Sequence, residues 1–129
     1  MNGLLIVAHG SRKPESNQEV FELTTRIEAM AAGDFDLVRC AFMQFADPTF
    51  EAQVESLVAY GADTIVVFPY FIGSGSHVTA DIPALVEAAV DRHPDVSIRV
   101  TPHLGNMDGI QELILEQVRP FLEPTESGP

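Results

Sequence analysis

The sequence predicts a single α/β domain with a four-stranded, mostly parallel, doubly wound sheet and helices on both faces. Apolar segments suited to strands alternate four times with segments of helical periodicity. The first of them, residues 4–8, shows no polar alternation, which is typical of a parallel strand covered on both faces. A chain of 129 residues suits one core without a linker. In the flavodoxin-like order strand 1 lies between strands 2 and 3.

The first strand, residues 3–8, ends at His9, and Pro14 is well placed in the first turn of a helix. Gly33 closes that helix. Apolar residues spaced by three and four positions predict its buried face: Val20, Leu23, Ile27 and Met30.

The second strand covers residues 36–43. Asp47 is expected to cap the following helix, with Pro48 at its first position and Gly61 after its end. The predicted buried residues of this helix are Val54, Leu57 and Val58.

The third strand, residues 64–69, runs into a Gly/Ser loop that carries His77. Asp81, two residues ahead of Pro83, predicts the start of the third helix, and His93 with the proline after it ends that helix. The predicted buried residues are Leu85, Val86, Ala89 and Val90.

Residues 96–101 form the predicted fourth strand, and a final helix follows the loop at residues 102–105. We assign residues 1–122 to the domain and expect residues 123–129, in a tail that holds three prolines from Pro120 onward, to fray. The residues expected to face inward on the last helix are Ile110, Leu113, Ile114 and Val118.

Charge and composition exclude several classes of partner. The net charge of −12 argues against nucleic acid and against anionic membranes. The longest apolar run is far shorter than the ~20 residues of a membrane span, and nothing marks a signal peptide, so we expect a cytoplasmic protein. Cys40 is the only cysteine, which leaves no disulfide framework and no CxxC metal site and indicates a buried strand thiol.

Histidines follow three of the predicted strands: His9 after strand 1, His77 after strand 3 and His103 after strand 4. Because strands 1 and 3 would be neighbours ~4.8 Å apart, His9 and His77 can point their imidazoles at one place. Neutral imidazole is the commonest transition-metal ligand, and two of them leave positions open for a substrate. The alternative is that these are unrelated loop residues. We interpret His103 as a loop residue, with a supporting role at the metal as the alternative.

Aromatic and cationic side chains collect at the same edge. Phe45, Tyr70 and Phe71, if exposed, form an apolar wall for a flat ring system beside a metal. Arg12 and the helix N-termini supply positive charge that can hold carboxylates. The loop of Gly73, Ser74, Gly75 and Ser76 lets backbone N–H groups approach a ligand.

Three segments carry a family resemblance: AHGSR at residues 8–12, AFMQFADP at residues 41–48, and PYFI followed by HVTADIP between residues 69 and 83. In this order and spacing the chain resembles the short CbiX-type sirohydrochlorin chelatases over nearly its whole length. The resemblance implies a class II chelatase fold and a homodimer. It also implies that Co²⁺, Ni²⁺ or Fe²⁺ is inserted as a substrate into sirohydrochlorin, without an organic cofactor. His9 and His77 match the two metal-binding histidines of the family and are the expected catalytic residues.

One position departs from the family pattern. Members of the family commonly carry Glu where this chain has Gln44, and an amide cannot ionise. Two pyrrole protons leave during insertion, and His9 or His77 would then have to accept at least one of them. The metal and the pathway, whether to cobalamin, sirohaem or a nickel tetrapyrrole, stay open. The expected substrate-binding residues are Ser11, Arg12, Gln44, Phe45, Tyr70, Phe71, Gly73, Ser74, Gly75 and Ser76.

Two other functions compete with a chelatase. Gln44 favours a protein that binds or carries divalent metal on the same scaffold without turnover. A phosphate or nucleotide enzyme is disfavoured, because the loop at residues 73–78 is neither GxxxxGK[ST] nor a complete GxGxxG. A histidine phosphatase is disfavoured because Ala8, not arginine, precedes His9.

Overall fold

A computed structural model describes residues 1–122 and shows one four-stranded sheet, all parallel, in the order β2-β1-β3-β4. The predicted placement of strand 1 between strands 2 and 3 is confirmed, and so is the α/β class. The predicted frayed tail at residues 123–129 lies outside the described residues. The strands are β1 Asn2–Ala8, β2 Leu37–Phe42, β3 Thr64–Pro69 and β4 Ser97–Val100, and the helices are α1 Pro14–Met30, α2 Phe50–Ala59, α3 Ile82–Arg92 and α4 Ile110–Val118.

The sheet buries a separate apolar cluster on each face. On one face α2 and α3 pack against the strands through residues such as Phe50 and Ile82. On the other face α1 packs through Val20, mainly over β2. Cys40 belongs to this second cluster and is 3% exposed, which confirms a buried strand thiol, and burial raises its pKa.

The predicted buried face of α1 is wrong at Met30, which is 85% exposed. The inward stripe instead follows Val20, Thr24, Ile27 and Ala31, at spacings of four, three and four. A polar residue can lie in this stripe because the Thr24 hydroxyl donates to the Val20 carbonyl at 2.7 Å.

The start of α2 also differs from the prediction. The helix begins at Phe50, and Thr49 is its cap, with its hydroxyl accepting from the Ala52 amide at 3.2 Å. Asp47 is therefore not the cap, and Pro48 lies before the helix, joined to Asp47 by a cis peptide bond. Val54 and Leu57 are buried and Val58 is half-buried, as predicted.

The predicted start of α3 is wrong in its detail. A π-helical turn, His77–Asp81, precedes the helix, and the Asp81 side chain makes no capping hydrogen bond. Ile82 and Ala89 are the buried residues of α3, whereas Val90 is 40% exposed. The helix contacts the edge strand β4, and Val90 lines a groove between the two.

The last helix, α4, is the largest departure from expectation, because none of its residues is buried. Leu113, Ile114 and Val118, predicted to face inward, are each about half exposed. Its principal contacts within residues 1–122 are the two short 3-10 turns beside it, Leu104–Asn106 and Arg119–Leu122. The helix is amphipathic as predicted, but it does not lie on the sheet of its own chain.

No helix among residues 1–122 combines the length and the apolar character that crossing a bilayer requires.

Candidate functional site

His9 and His77 meet at the carboxyl edge of the sheet. His9 follows the last residue of β1, and its ring centroid lies 4.8 Å from that of His77. The His9 ring also packs edge-to-face on Phe71, with centroids 4.4 Å apart. The sequence-based prediction that these histidines lie together agrees with this geometry.

Loops from both neighbouring strands fix the His9 segment. The Gln44 amide donates to the His9 carbonyl at 3.0 Å, and the Tyr70 amide donates to the Val7 carbonyl at 2.8 Å. Gly10 has φ +85°, and a Cβ there would collide with the Gln44 carbonyl oxygen. Only glycine therefore suits both the backbone angle and the close approach of the β2 loop.

His77 is held by its own helical turn. It is the first residue of the π-helical turn, and its Nδ1 lies 2.8 Å from Oδ2 of Asp81. The turn is closed by the Ile82 amide, which donates to the His77 carbonyl. The carboxylate occupies one ring nitrogen of His77, which leaves Nε2 for a ligand.

The electrostatic setting keeps His9 in its neutral form. Burial lowers the pKa of His9, and the nearby His77 lowers it further. A neutral imidazole carries the lone pair that a metal needs, so at neutral pH His9 can act as a ligand or accept a proton.

A cavity of about 560 Å³ opens beside His9, within the ~300–1,000 Å³ typical of small-molecule sites. Its walls are mostly apolar, and two glycines form one side. The lining residues are His9, Tyr70, Phe71, Ile72, Gly73, Gly75 and Leu104.

The comparison that decides the family is the match of residues 3–120 to the CbiX family. The chain belongs to the CbiX family. The sirohydrochlorin cobaltochelatase of Methanopyrus kandleri is 38% identical over 67% of this chain and 59% of its own length. That of Saccharolobus solfataricus is 31% identical over 92% of this chain and 94% of its own length. The chloroplastic sirohydrochlorin ferrochelatase of Arabidopsis thaliana is 29% identical over 97% of this chain and 55% of its own length.

Solved structures show the same fold. A cobalamin biosynthesis CbiX protein from Marinobacter aquaeolei VT8 has a TM-score of 0.77 at 24% identity, covering 95% of this chain and 98% of that one. SirB from Bacillus subtilis with Fe³⁺ has a TM-score of 0.79 at 24% identity, covering 95% of this chain but 48% of that one. Several CbiX relatives are longer than this chain. Its alignments with three archaeal cobaltochelatases cover 59%, 64% and 58% of the length of those proteins.

Of the substrate-binding residues expected in this CbiX chain, Tyr70, Phe71, Gly73 and Gly75 line the cavity beside His9. The intervening Ser74 and the following Ser76 are exposed and are not part of the wall. Phe71 is 5% exposed, so it presents only the edge that contacts His9, whereas Tyr70 is 36% exposed.

Ser11 lies in a smaller neighbouring cavity of about 220 Å³, which His9 and Tyr70 also line. Asn17 of α1 fixes this loop: its side-chain oxygen accepts from the Ser11 amide at 2.9 Å, and its amide group donates to the Ser11 carbonyl at 2.8 Å. The position of Ser11 beside the main cavity is thus set by a residue that sequence reasoning did not single out.

Arg12, Gln44 and Phe45 lie outside both cavities that His9 lines. The Arg12 guanidinium stacks over the Phe45 ring, 4.4 Å from its centroid. Phe45 is 53% exposed and has φ 65°, a backbone angle uncommon outside glycine. The Gln44 side chain is exposed, although its backbone touches the His9 segment.

Sequence reasoning missed three site residues: Ile72, Leu104 and Asp81. The first two line the cavity because Gly105 approaches the β3 loop closely, donating to the Phe71 carbonyl at 3.1 Å. A Cβ at Gly105 would collide with the Ile72 backbone. The Leu104–Gly105 pair in the loop after the last strand was the available signal.

The other two histidines of this CbiX chain lie elsewhere. His103 lines a different groove of about 590 Å³, between α3 and β4, in agreement with its interpretation as a loop residue outside the metal pair. His93 ends α3, and its Nε2 lies 2.9 Å from a carboxylate oxygen of Glu55.

Within residues 1–122, no group of three or more His, Cys, Asp or Glu side chains is arranged to hold a metal ion. The pair of His9 and His77 supplies two nitrogen ligands at most. A metal bound there would keep open positions for water or for donor atoms of a second molecule, which suits transfer better than permanent storage.

Proposed function

We propose that this CbiX chain inserts a divalent transition metal into sirohydrochlorin, with His9 and His77 as the ligands that present the metal. The observation that carries the proposal is the pair of imidazoles with ring centroids 4.8 Å apart, of which His9 lines an apolar cavity. The names of the relatives, sirohydrochlorin cobaltochelatase and ferrochelatase, support this substrate and make Co²⁺ or Fe²⁺ the expected metal. Ni²⁺ is a further candidate, because imidazole also binds nickel.

The reaction exchanges one metal ion for two pyrrole protons. Two protein ligands hold the ion weakly enough for the nitrogens of the macrocycle to replace them. The lowered pKa of His9 leaves it unprotonated at neutral pH, so it can take up a proton when it releases the metal. Solvent then removes the second proton or the same histidine carries it in a later step.

The macrocycle would lie against the apolar wall of Tyr70, Ile72 and Leu104. Its carboxylates would extend toward solvent, where Arg12 supplies a positive charge held in place by Phe45. Backbone N–H groups of the loop around Gly73 and Gly75 can approach the ring edge, since no side chains intervene there.

We further propose that the working form is a homodimer. A half-exposed apolar helix is costly in water, at ~25 cal/mol per Å² of apolar surface, and α4 exposes Leu113, Ile114, Leu115 and Val118. In the adjoining 3-10 turn Phe121 and Leu122 are more than 80% exposed. These are the exposed apolar side chains that a second copy would cover.

The sheet has a matching uncovered area. On the α1 face, α1 packs mainly on β2, and Phe68 of β3 is only half-buried. Val66 lies on the same face by strand alternation, and Arg99 of β4 is its register partner. The α4 of a second copy would cover this area, and its acidic residues Glu112 and Glu116 would lie near Arg99.

A metal carrier without turnover is the second candidate function, and Gln44 is the observation that favours it. A carrier would bind Co²⁺ at the same two histidines but form no more metallated product than spontaneous insertion gives. The number of turnovers per protein chain in a mixture of Co²⁺ and sirohydrochlorin separates the two functions, because only a chelatase gives more than one.

Replacing Gln44 by glutamate should tighten divalent-metal binding and change the insertion rate. A carboxylate adds negative charge and a proton acceptor beside the His9 segment, where the amide offers only a neutral oxygen. Calorimetry with Co²⁺ and the absorption assay measure the two effects, and Gln44→Ala, expected to be milder than His9→Ala, is the control. If Gln44→Glu leaves affinity and rate unchanged while His9→Ala abolishes them, position 44 does not reach the metal.

A further inference from the structure

We propose that Asp81 is a positioning residue that fixes the tautomer of His77 and directs its Nε2 toward the metal. The inference rests on the proposed function only in its last step, the direction toward metal. Its first step, the hold on the ring, stands on the geometry of the chain alone.

The contact itself is short and local. Oδ2 of Asp81 lies 2.8 Å from Nδ1 of His77, four residues earlier in the same π-helical turn. Single π-helical turns occur frequently at functional sites, because they change which side chains share a direction. The turn here is closed by the Ile82 amide at the His77 carbonyl.

Within residues 1–122 the Asp81 side chain makes no hydrogen bond other than the one to His77. An aspartate before a helix ordinarily caps the first turn, yet Asp81 has helical backbone angles and makes no capping bond. Its carboxylate is bonded to the His77 ring instead.

The chemistry of the pair determines the proton position. Neutral imidazole has one N–H donor and one lone pair, and a carboxylate can only accept. The proton of His77 therefore lies on Nδ1, and the only lone pair available to a metal is on Nε2. Carboxylate partners of this kind orient metal-binding histidines and raise their basicity.

The two histidines of the site are consequently not equivalent. His9 is oriented by edge-to-face packing on Phe71, without a carboxylate partner among the hydrogen bonds of residues 1–122. His77 is oriented by a carboxylate, which makes it the stronger electron donor of the pair. We therefore expect His77 to be the ligand with the longer hold on the ion.

The test is long-range ¹H–¹⁵N correlation NMR on the metal-free protein at pH 8, which distinguishes Nδ1–H from Nε2–H imidazole. We expect wild-type His77 to be almost entirely the Nδ1–H tautomer. Asp81→Ala should give a mixture with substantial Nε2–H, while the His9 signals stay unchanged. Asp91→Ala, an exposed aspartate of α3 with no histidine contact, is the matched control.

Co²⁺ titration of the same variants tests the last step. Asp81→Ala should weaken binding by ~10- to 100-fold, and Asp81→Asn, whose carbonyl can still accept from Nδ1–H, should weaken it less. An Nε2–H tautomer at wild-type His77, or an unchanged tautomer ratio in a folded Asp81→Ala protein, would overturn the proposal. If Asp81→Ala changes the tautomer of His77 but the wild-type protein does not bind Co²⁺, the proposed metal function is wrong. The orientation of His77 by Asp81 would still stand.

Discussion

Replacing His9 or His77 by alanine should weaken Co²⁺ binding by at least ~10-fold each, and the double replacement should abolish it. The two imidazoles supply the two nitrogen ligands proposed for the ion, so each single variant keeps one of them. His9 is exposed just after β1 and His77 is partly exposed in the π-helical turn, so neither change should unfold the protein. Isothermal titration calorimetry with Co²⁺ or Ni²⁺ measures the loss, and circular dichroism checks the fold.

His93→Ala is the matched control, since His93 is bonded to Glu55 at the end of α3 and should leave metal affinity unchanged. If the wild type and the His9→Ala/His77→Ala protein bind Co²⁺ with equal affinity, neither histidine is a metal ligand.

The second large effect is expected in the mass of the particle. Wild-type protein at tens of micromolar should scatter light with twice the 14.0 kDa mass of the chain. Leu113→Glu combined with Ile114→Glu should return it to a single chain, because two charges would then face the apolar contact that α4 makes with the second copy. Since no residue of α4 is buried in the single chain, and Leu113 and Ile114 are each about half exposed, the variant should stay folded as a monomer.

Glu51→Gln, a change at an exposed residue of α2 on the other face of the sheet, is the control and should remain dimeric. Loss of the dimer should lower the insertion activity, because one copy covers only one side of a flat macrocycle. A wild-type mass near 14.0 kDa would refute the homodimer, and a double variant that stays dimeric would place the contact away from α4.

The sheet and the approach of His9 to His77 could be predicted because local pattern and topology determine them together. An unbroken apolar run defines β1, and β2 and β3 pair with it in parallel, so the residues after β1 and β3 must meet. The positions of His9 and His77 follow from that edge without any knowledge of side-chain packing.

Other features depend on information that a sequence pattern does not contain. The periodicity of α4 predicts an apolar face but not which chain covers it. Asp81 has the same place in the sequence whether it caps a helix or binds His77, and only the π-helical turn decides between them. Leu104 enters the site because Gly105 packs on the β3 loop, a contact between segments about thirty residues apart in sequence.

The measurement that tests the central claim most directly is the absorption spectrum of sirohydrochlorin during incubation with Co²⁺ and catalytic amounts of this protein. If the proposed chelatase function holds, each wild-type chain should convert several equivalents of sirohydrochlorin at a rate well above the spontaneous one. The His9→Ala/His77→Ala protein should give only the spontaneous rate. A wild-type rate equal to that of the double variant would contradict the proposed function, whatever metal the protein binds.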